Sequence, residues 1–235
     1  EFAITASADT TVKIWEIDNN QLSNTIRPHY NAVTGLSLHP TGDYILTTSL
    51  DEHWAFSDLQ TGSIMCRVAD QVSEQQPLTC GQFHPDGLIF GVGTADSMIK
   101  IWDLKERSNV ANFPGHTGQI TALAFSENGY YLASAAEDAV IKIWDLRKLK
   151  NLKSIVLDEN YEIKDIAFDY FGAYLGVAGT DVRVYQVKQW DMLCSFNDHT
   201  AAATGIRFGP LASYVASCSL DRSLKIYNYT ESTCS

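Results

Sequence analysis

The sequence predicts an all-β fold assembled as a propeller of four-stranded blades, on two observations: a motif that recurs at near-constant spacing, and four short turn-bounded strands within each period. Six segments align: ADTTVKIWEI from Ala8, LDEHWAFSDL from Leu50, ADSMIKIWDL from Ala95, EDAVIKIWDL from Glu137, GTDVRVYQV from Gly179 and LDRSLKIYNY from Leu220. With Trp15, Ser57, Trp102, Trp144, Tyr185 and Tyr227 taken as equivalent, the steps are 42, 45, 42, 41 and 42 residues. That period belongs to four-stranded propeller blades.

One period shows how each strand is specified. ITALAFS (Ile120 to Ser126), YYLASAA (Tyr130 to Ala136), VIKIWDL (Val140 to Leu146) and LKSIVLD (Leu152 to Asp158) are short runs rich in β-branched and aromatic residues. Turn chemistry separates the first strand from the second at Pro40-Thr41-Gly42-Asp43, Pro85-Asp86-Gly87, Glu127-Asn128-Gly129 and Tyr170-Phe171-Gly172. Gly209-Pro210-Leu211 does so less regularly. Apolar residues fall on both faces of many strands, as expected for a sheet packed between two others, and no helix is required.

These residues resemble the WD-repeat family, whose signature is a Gly-His pair, an Asp in a turn, and an aromatic-Asp pair closing the third strand. Gly115-His116, Asp138 and Trp144-Asp145 are the fullest instance; Trp102-Asp103 keeps the dipeptide, and Asp198-His199 with Asp221 keeps most of the rest. Ser57 departs from the aromatic, the period from Gln75 to Phe113 opens without His, and that from Asn160 to Phe196 lacks the His and a clear turn Asp. The expected division of residues 1–235 is a partial first blade 1–28, blades 29–74, 75–115, 116–158 and 159–198, and a last blade 199–235, about 5.6 blades. Closed rings remove sheet edges, so the expectation is an N-terminally truncated part of a seven-bladed propeller.

His116, Ser134, Asp138 and Trp144 stand where the family forms a buried relay from indole N–H to hydroxyl to imidazole to carboxylate. His199, Ser217, Asp221 and Tyr227 form a second set with a phenol in place of the indole, and His29, Thr47 and Asp51 a third without the aromatic. A Ser-His-Asp hydrolase triad is the competing reading. Catalysis needs one constellation at a cleft, whereas these sets recur in register inside strands, so the reading is structural and no catalytic residue is expected.

His39, His53 and His84 are scattered singly, and with no converging partners they predict no metal site and no cofactor. Lys13, Lys100, Lys142, Arg183 and Lys225 repeat along the third strands, each between apolar neighbours, which favours stems packed on the next blade over a phosphate-binding ladder. Arg147, Lys148, Lys150 and Lys153 read as a solvated loop, and Trp54 and Trp190 as core filling between blades.

Composition narrows the function classes. Seventeen basic against 28 acidic residues give a net charge of −11, which repels nucleic-acid backbones and anionic lipid. No apolar run reaches membrane-span length and the N-terminus lacks signal-peptide character, so the expectation is a soluble intracellular domain that binds neither nucleic acid nor membrane. Five widely spaced cysteines (Cys66, Cys80, Cys194, Cys218, Cys234) read as reduced thiols, and the triplet Asn228-Tyr229-Thr230 as a chance match to a glycosylation site.

Longer strings carry a closer likeness. WAFSDLQTG from Trp54, LTCGQFHPDGLIFGVGTADSMIKIWDLKERSNVANFPGH from Leu78, FSENGYYLASAAEDAVIKIWDLRKLKN from Phe125, then GTDVRVY, KQW and DRSLKIY, resemble the C-terminal propeller of the pre-mRNA-processing factor 19 family. That resemblance implies a nuclear, U-box E3 ubiquitin ligase that acts in spliceosome activation, with a DNA-damage role. It also implies a homotetramer held by a coiled coil, with the propeller as the end that recruits spliceosomal and ubiquitination-substrate proteins. The chain itself shows neither a U-box-like segment nor a heptad run.

Partner docking is then expected on one rim, at the positions before each turn Asp (Leu50, Ala95, Glu137, Leu220) and those opening first strands (Asn31, Gln119, Tyr161). An acidic rim favours basic or mixed peptides. The alternative function is a generic WD-repeat adaptor of another multiprotein complex.

Overall fold

The computed structural model describes residues 2–70 and 76–228. Glu1, Gln75 at the start of the third period, Cys234, and the last two residues of the Asn228-Tyr229-Thr230 triplet lie outside them. The chain divides into two compact units, Glu1–Gly115 and His116–Ser235.

In the first unit, β1 (Phe2–Ala6), β2 (Val12–Glu16) and β3 (Gln21–Ile26) form a three-stranded sheet. β4 (Val33–Leu38), β5 (Tyr44–Ser49), β6 (His53–Asp58) and β7 (Ile64–Ala69) form a four-stranded one, as do β8 (Leu78–Phe83), β9 (Ile89–Thr94), β10 (Ile99–Asp103) and β11 (Ser108–Phe113). The second unit repeats the plan. β12 (Ile120–Phe125), β13 (Tyr131–Ala136), β14 (Val140–Asp145) and β15 (Lys150–Val156) make one sheet; β16 (Asp165–Phe168), β17 (Tyr174–Ala178), β18 (Val182–Gln186) and β19 (Asp191–Phe196) make the next. β20 (Ala203–Phe208), β21 (Val215–Ser219) and β22 (Leu224–Tyr227) close the series.

Every sheet is an antiparallel meander in sequence order, and four of the six have the four-stranded plan of a propeller blade. The fold class is therefore the all-β, WD40 propeller class, with six blade sheets among the described residues.

Local chemistry sets the turns. Gly129 has φ 72°, and its N–H donates to the Ser126 carbonyl at 2.8 Å to close the β12–β13 turn, a conformation glycine adopts without steric cost. The β20–β21 connection has no such glycine. Leu211 and Ala212 take the left-handed region instead (φ 55° and 52°), and Pro210–Ala212 winds into a short 3₁₀ turn, the one helical element among the described residues where none was expected.

The core lies between neighbouring sheets of each unit. In the first, Trp54 is fully buried and meets Phe90 and Trp102 edge-on, with centroids 4.8 and 5.7 Å away. In the second, Ala122, Ala133, Ile141 and Ile143 pack with Tyr161, Ile163, Leu175 and Val177, and Trp190 covers that cluster from the side. The third-strand cations find partners: Lys100 Nζ sits 2.7 Å from Asp70, Arg183 bridges Asp181 and Asp158, and Lys13 lies over the Trp15 ring.

Candidate functional site

The turn joining second and third strands is built the same way in blade after blade. Its Asp accepts the N–H two residues on: Asp9 from Thr11, Asp51 from His53, Asp138 from Val140 and Asp221 from Ser223, at 2.8–3.1 Å. The intervening residues Thr10, Glu52, Ala139 and Arg222 are left-handed, with φ between 55° and 75°. That geometry costs each about 1–2 kcal/mol, which the Asp side chain helps to offset.

The same carboxylates reach back to the first-strand approach. His116 Nδ1 lies 3.0 Å from Asp138 and its Nε2 lies 2.8 Å from Ser134 Oγ, which also accepts the Trp144 indole N–H at 2.9 Å. His29 joins Asp51 (3.1 Å) to Thr47 (2.8 Å), and His199 joins Asp221 (2.9 Å) to Ser217 (2.7 Å). Burial holds the His29 and His116 imidazoles below their ordinary pKa, their Asp partners opposing that shift. Burial alone would raise the Asp138 carboxyl; the Thr117 N–H and His116 outweigh it and hold the group below its usual range.

One feature differs from the sequence reading. The Tyr227 hydroxyl is buried and interacts with Ser217 without hydrogen-bond geometry, having no such partner among the described residues. Its ring instead stacks on Phe196 at 4.2 Å, so the phenol does not reproduce the indole's reach. Ser134 and Thr47 are wholly buried and Ser217 nearly so. No substrate can approach these hydroxyls, and the His-Asp-Ser/Thr sets hold turns rather than attack bonds.

The expected rim positions gather at one end of each sheet. The Glu137 N–H donates to the Gln119 carbonyl, Leu50 to Ala32 beside Asn31, Ala95 to Pro77, and Leu220 to Ala202, all at 2.9–3.1 Å. Glu137, Leu50, Leu220 and Asn31 are exposed, and Gln119 and Ala95 half-buried. Tyr161 does not belong with them. It is 4% exposed, its hydroxyl donates to the Asp181 carbonyl at 2.9 Å, and the Arg183 guanidinium covers its ring at 4.5 Å. Its ring packs into the blade interior, and its remaining surface lines an open cavity beside Asn160 and Glu162.

Within the second unit an open cavity of about 660 Å³ runs between the Glu137–Ala139 turn and residues 156–164. Five carboxylates line it, from Glu137, Asp138, Asp158, Glu159 and Glu162, against Lys164 as the lining cation. Arg183 pairs with Asp158 and holds its carboxyl low; Lys164 pairs with Glu162 at 2.9 Å and does the same there. Sequence reasoning passed over Asp158, Glu159 and Glu162, although the acidic run DENYE between two strands was there to be read.

Among the described residues no group of His, Cys, Asp and Glu is arranged to hold a metal ion, and no helix is long and apolar enough to cross a membrane. The WD40 family model, described as WD domain, G-beta repeat, matches residues 20–54, 71–103, 107–145 and 190–228. Mouse pre-mRNA-processing factor 19 is 57% identical over 228 residues, covering 97% of this chain and 45% of that protein. The Caenorhabditis elegans protein of the same name is 46% identical over 227 residues (97% and 46%), and Arabidopsis thaliana pre-mRNA-processing factor 19 homolog 2 is 44% identical over 236 (97% and 44%). The chain thus spans about half the length of the curated relatives it matches. With repeat, blade plan and sequence in agreement, the chain belongs to the WD-repeat family, as a WD-repeat domain of the pre-mRNA-processing factor 19 kind.

Proposed function

We propose that this chain is the recognition module of a nuclear pre-mRNA splicing factor, docking extended peptides from spliceosomal proteins and ubiquitination substrates on the rim that carries Glu137 and Gln119. The observation that carries the reading is the 57% identity to mouse pre-mRNA-processing factor 19 across 97% of the chain. Rigid blades with exposed loop residues at one end suit that role, and the net charge of −11 favours basic or mixed segments. In this reading the chain performs no catalysis. E3 ubiquitin ligase activity through a U-box, tetramerisation through a coiled coil, spliceosome activation and a DNA-damage role belong to the full-length protein, which this domain supplies with partners.

Capture from nuclear extract tests the proposal, with a Glu137→Ala/Gln119→Ala double variant alongside. Enrichment of spliceosomal proteins by the wild type and their loss from the folded variant are expected. Enrichment of an unrelated complex alone would replace this reading with that of a generic WD-repeat adaptor.

A further inference from the structure

The sheets of the second unit have two ends of opposite character. Glu137, Asp158, Glu159 and Glu162 gather at the end already described. At the other end the β12–β13 and β14–β15 turns are joined by the Leu146 N–H, which donates to the Tyr130 carbonyl at 2.9 Å. The β16–β17 and β18–β19 turns are joined in the same way by the Val187 N–H and the Ala173 carbonyl, also at 2.9 Å. Tyr131 from the first sheet and Phe168, Val187 and Trp190 from the second flank one buried cluster at this end. Packed sheets lie about 10 Å apart, a span that three or four extended residues cover.

The tips of these turns carry large apolar side chains in water. Tyr130, Leu149, Tyr170 and Phe171 are 49–68% exposed, and the Tyr170 and Phe171 rings meet edge-on with centroids 5.4 Å apart. The turns themselves do not need the rings. Gly172 takes φ 66° and its N–H donates to the Asp169 carbonyl at 3.0 Å, while the Asp169 carboxylate accepts the Phe171 N–H, also at 3.0 Å. Several large apolar side chains gathered at one end mark an interaction surface, where single exposed ones would not.

Charge says what covers them. Asp145 is taken by Arg147, which donates to it at 2.9 and 3.1 Å and lays its guanidinium 4.6 Å from the centre of the Tyr130 ring. Asp169 is buried and occupied by the turn it closes. Lys148, Lys150 and Lys188 are exposed and make no ion pair among the described residues, against Glu127 and Asp191 as the exposed acids of the same turns. In a chain of net charge −11 whose other end is acidic, this is the end that attracts carboxylates. Three lysines are too few to hold a nucleic-acid backbone against that net charge, and the apolar tips call for apolar side chains in the partner.

We infer that this end of the second unit is a docking surface for an acidic amphipathic segment of a partner protein, whose apolar side chains cover Tyr130, Leu149 and Phe171 while its carboxylates meet Lys148 and Lys150. It goes beyond the recognition reading above, since it lies at the opposite end from Glu137 and takes a segment of opposite charge. The Arg147–Tyr130 stack, pinned by Asp145, gives that segment a rigid floor.

The test is an NMR titration of the isotope-labelled chain with the peptide acetyl-Glu-Asp-Phe-Glu-Glu-Leu-Asp-amide. Two control peptides accompany it, one with Phe and Leu replaced by Ala and one with every acid replaced by its amide. Shifts at the Tyr130, Leu149 and Phe171 amides are expected, with each control weaker by roughly tenfold or more. Raising salt from about 50 to about 300 mM should weaken binding severalfold. Lys148→Glu/Lys150→Glu and Phe171→Ser change exposed side chains only, and each should weaken binding roughly tenfold with an unchanged melt. Absence of shifts at those amides at millimolar peptide, or equal binding of either control, overturns the inference. So does tighter binding of a uridine oligonucleotide at the same residues, or shifts there that grow with protein concentration alone, which would assign the surface to a second copy.

Glu137→Ala/Gln119→Ala separates the two ends. That variant should bind the acidic peptide as the wild type does while losing spliceosomal partners; equal loss of the peptide would show that the two ends are not independent and overturn the inference.

Discussion

Trp144 and His116 meet at a single atom: the Ser134 hydroxyl oxygen takes the indole N–H at 2.9 Å and lies 2.8 Å from the imidazole Nε2. Trp144→Phe keeps most of the ring and deletes that donor, so it should cost about 1–2 kcal/mol. Trp144→Ala also empties the site and should cost about 3–5 kcal/mol. Urea denaturation distinguishes them, and a Phe variant as stable as the wild type would sink the network argument.

Two buried serines should respond in opposite ways. Ser134→Ala strips both the indole and His116 of their partner and should lose about 1–3 kcal/mol. Ser57 is equally buried, but its hydroxyl has no partner among the described residues, so Ser57→Ala should be neutral or stabilising by up to about 1 kcal/mol. Thermal melts of the pair check the contrast.

Acid should weaken the domain in two stages. His29 and His116 have folded-state pKa values lowered by burial from the ordinary 6.5, so below that pH the unfolded chain binds protons that the folded one refuses. Their contribution is full above pH 6.5 and falls as pH drops toward the depressed values. Asp51 and Asp138 are held below the ordinary 3.8, their backbone and histidine partners outweighing burial, so a second loss begins below that pH. Denaturant midpoints at pH 8, 6, 5 and 3.5 should trace both stages. His116→Gln should flatten the first.

Gly179 lies where no side chain fits. A Cβ there would enter the Glu162 carbonyl and press on the Tyr161 ring, and backbone cannot step aside as a flexible side chain can. Gly179→Ala should therefore cost about 1–3 kcal/mol through overpacking. A variant melting with the wild type would show that the loop at Glu162 moves freely.

Rim substitutions should leave stability alone. Glu137→Ala keeps its backbone bond to Gln119 and removes only an exposed carboxylate, so the change should stay within about 0.5 kcal/mol while partner capture falls. A melt depressed as far as that of Trp144→Ala would reject the division between surface and network residues.

The repeat was legible because each blade needs the same few side chains at the same offsets. A His-to-Asp spacing of 22 residues recurs at 29/51, 116/138 and 199/221, and in each case the imidazole and carboxylate meet. What sequence did not convey depends on reach and pairing. Tyr227 aligns with Trp144, yet a hydroxyl at the end of a phenol ring occupies a different point from an indole nitrogen, and no alignment encodes that difference. Tyr161 opens a first-strand approach but is drawn inward by Asp181 and Arg183, partners 20 and 22 residues away that only the folded sheet brings to it. Thr121 looks like any strand threonine until its neighbours' pairing shows that it has none.

Thr121 is the extra residue of a β-bulge in its first strand and stands outside the ladder. The pairs on either side, Ile120 with Ala136 and Ala122 with Ala135, keep their faces whatever side chain fills the bulge. Replacing it disturbs no ladder bond. Thr34, Thr79, Thr121 and Thr204 thus mark a slot that recurs from blade to blade, with Lys164 at the corresponding place in a fifth. Its side chain can change one blade at a time while the ladder stays in register, so near-identical blades can present different chemistry at the same point.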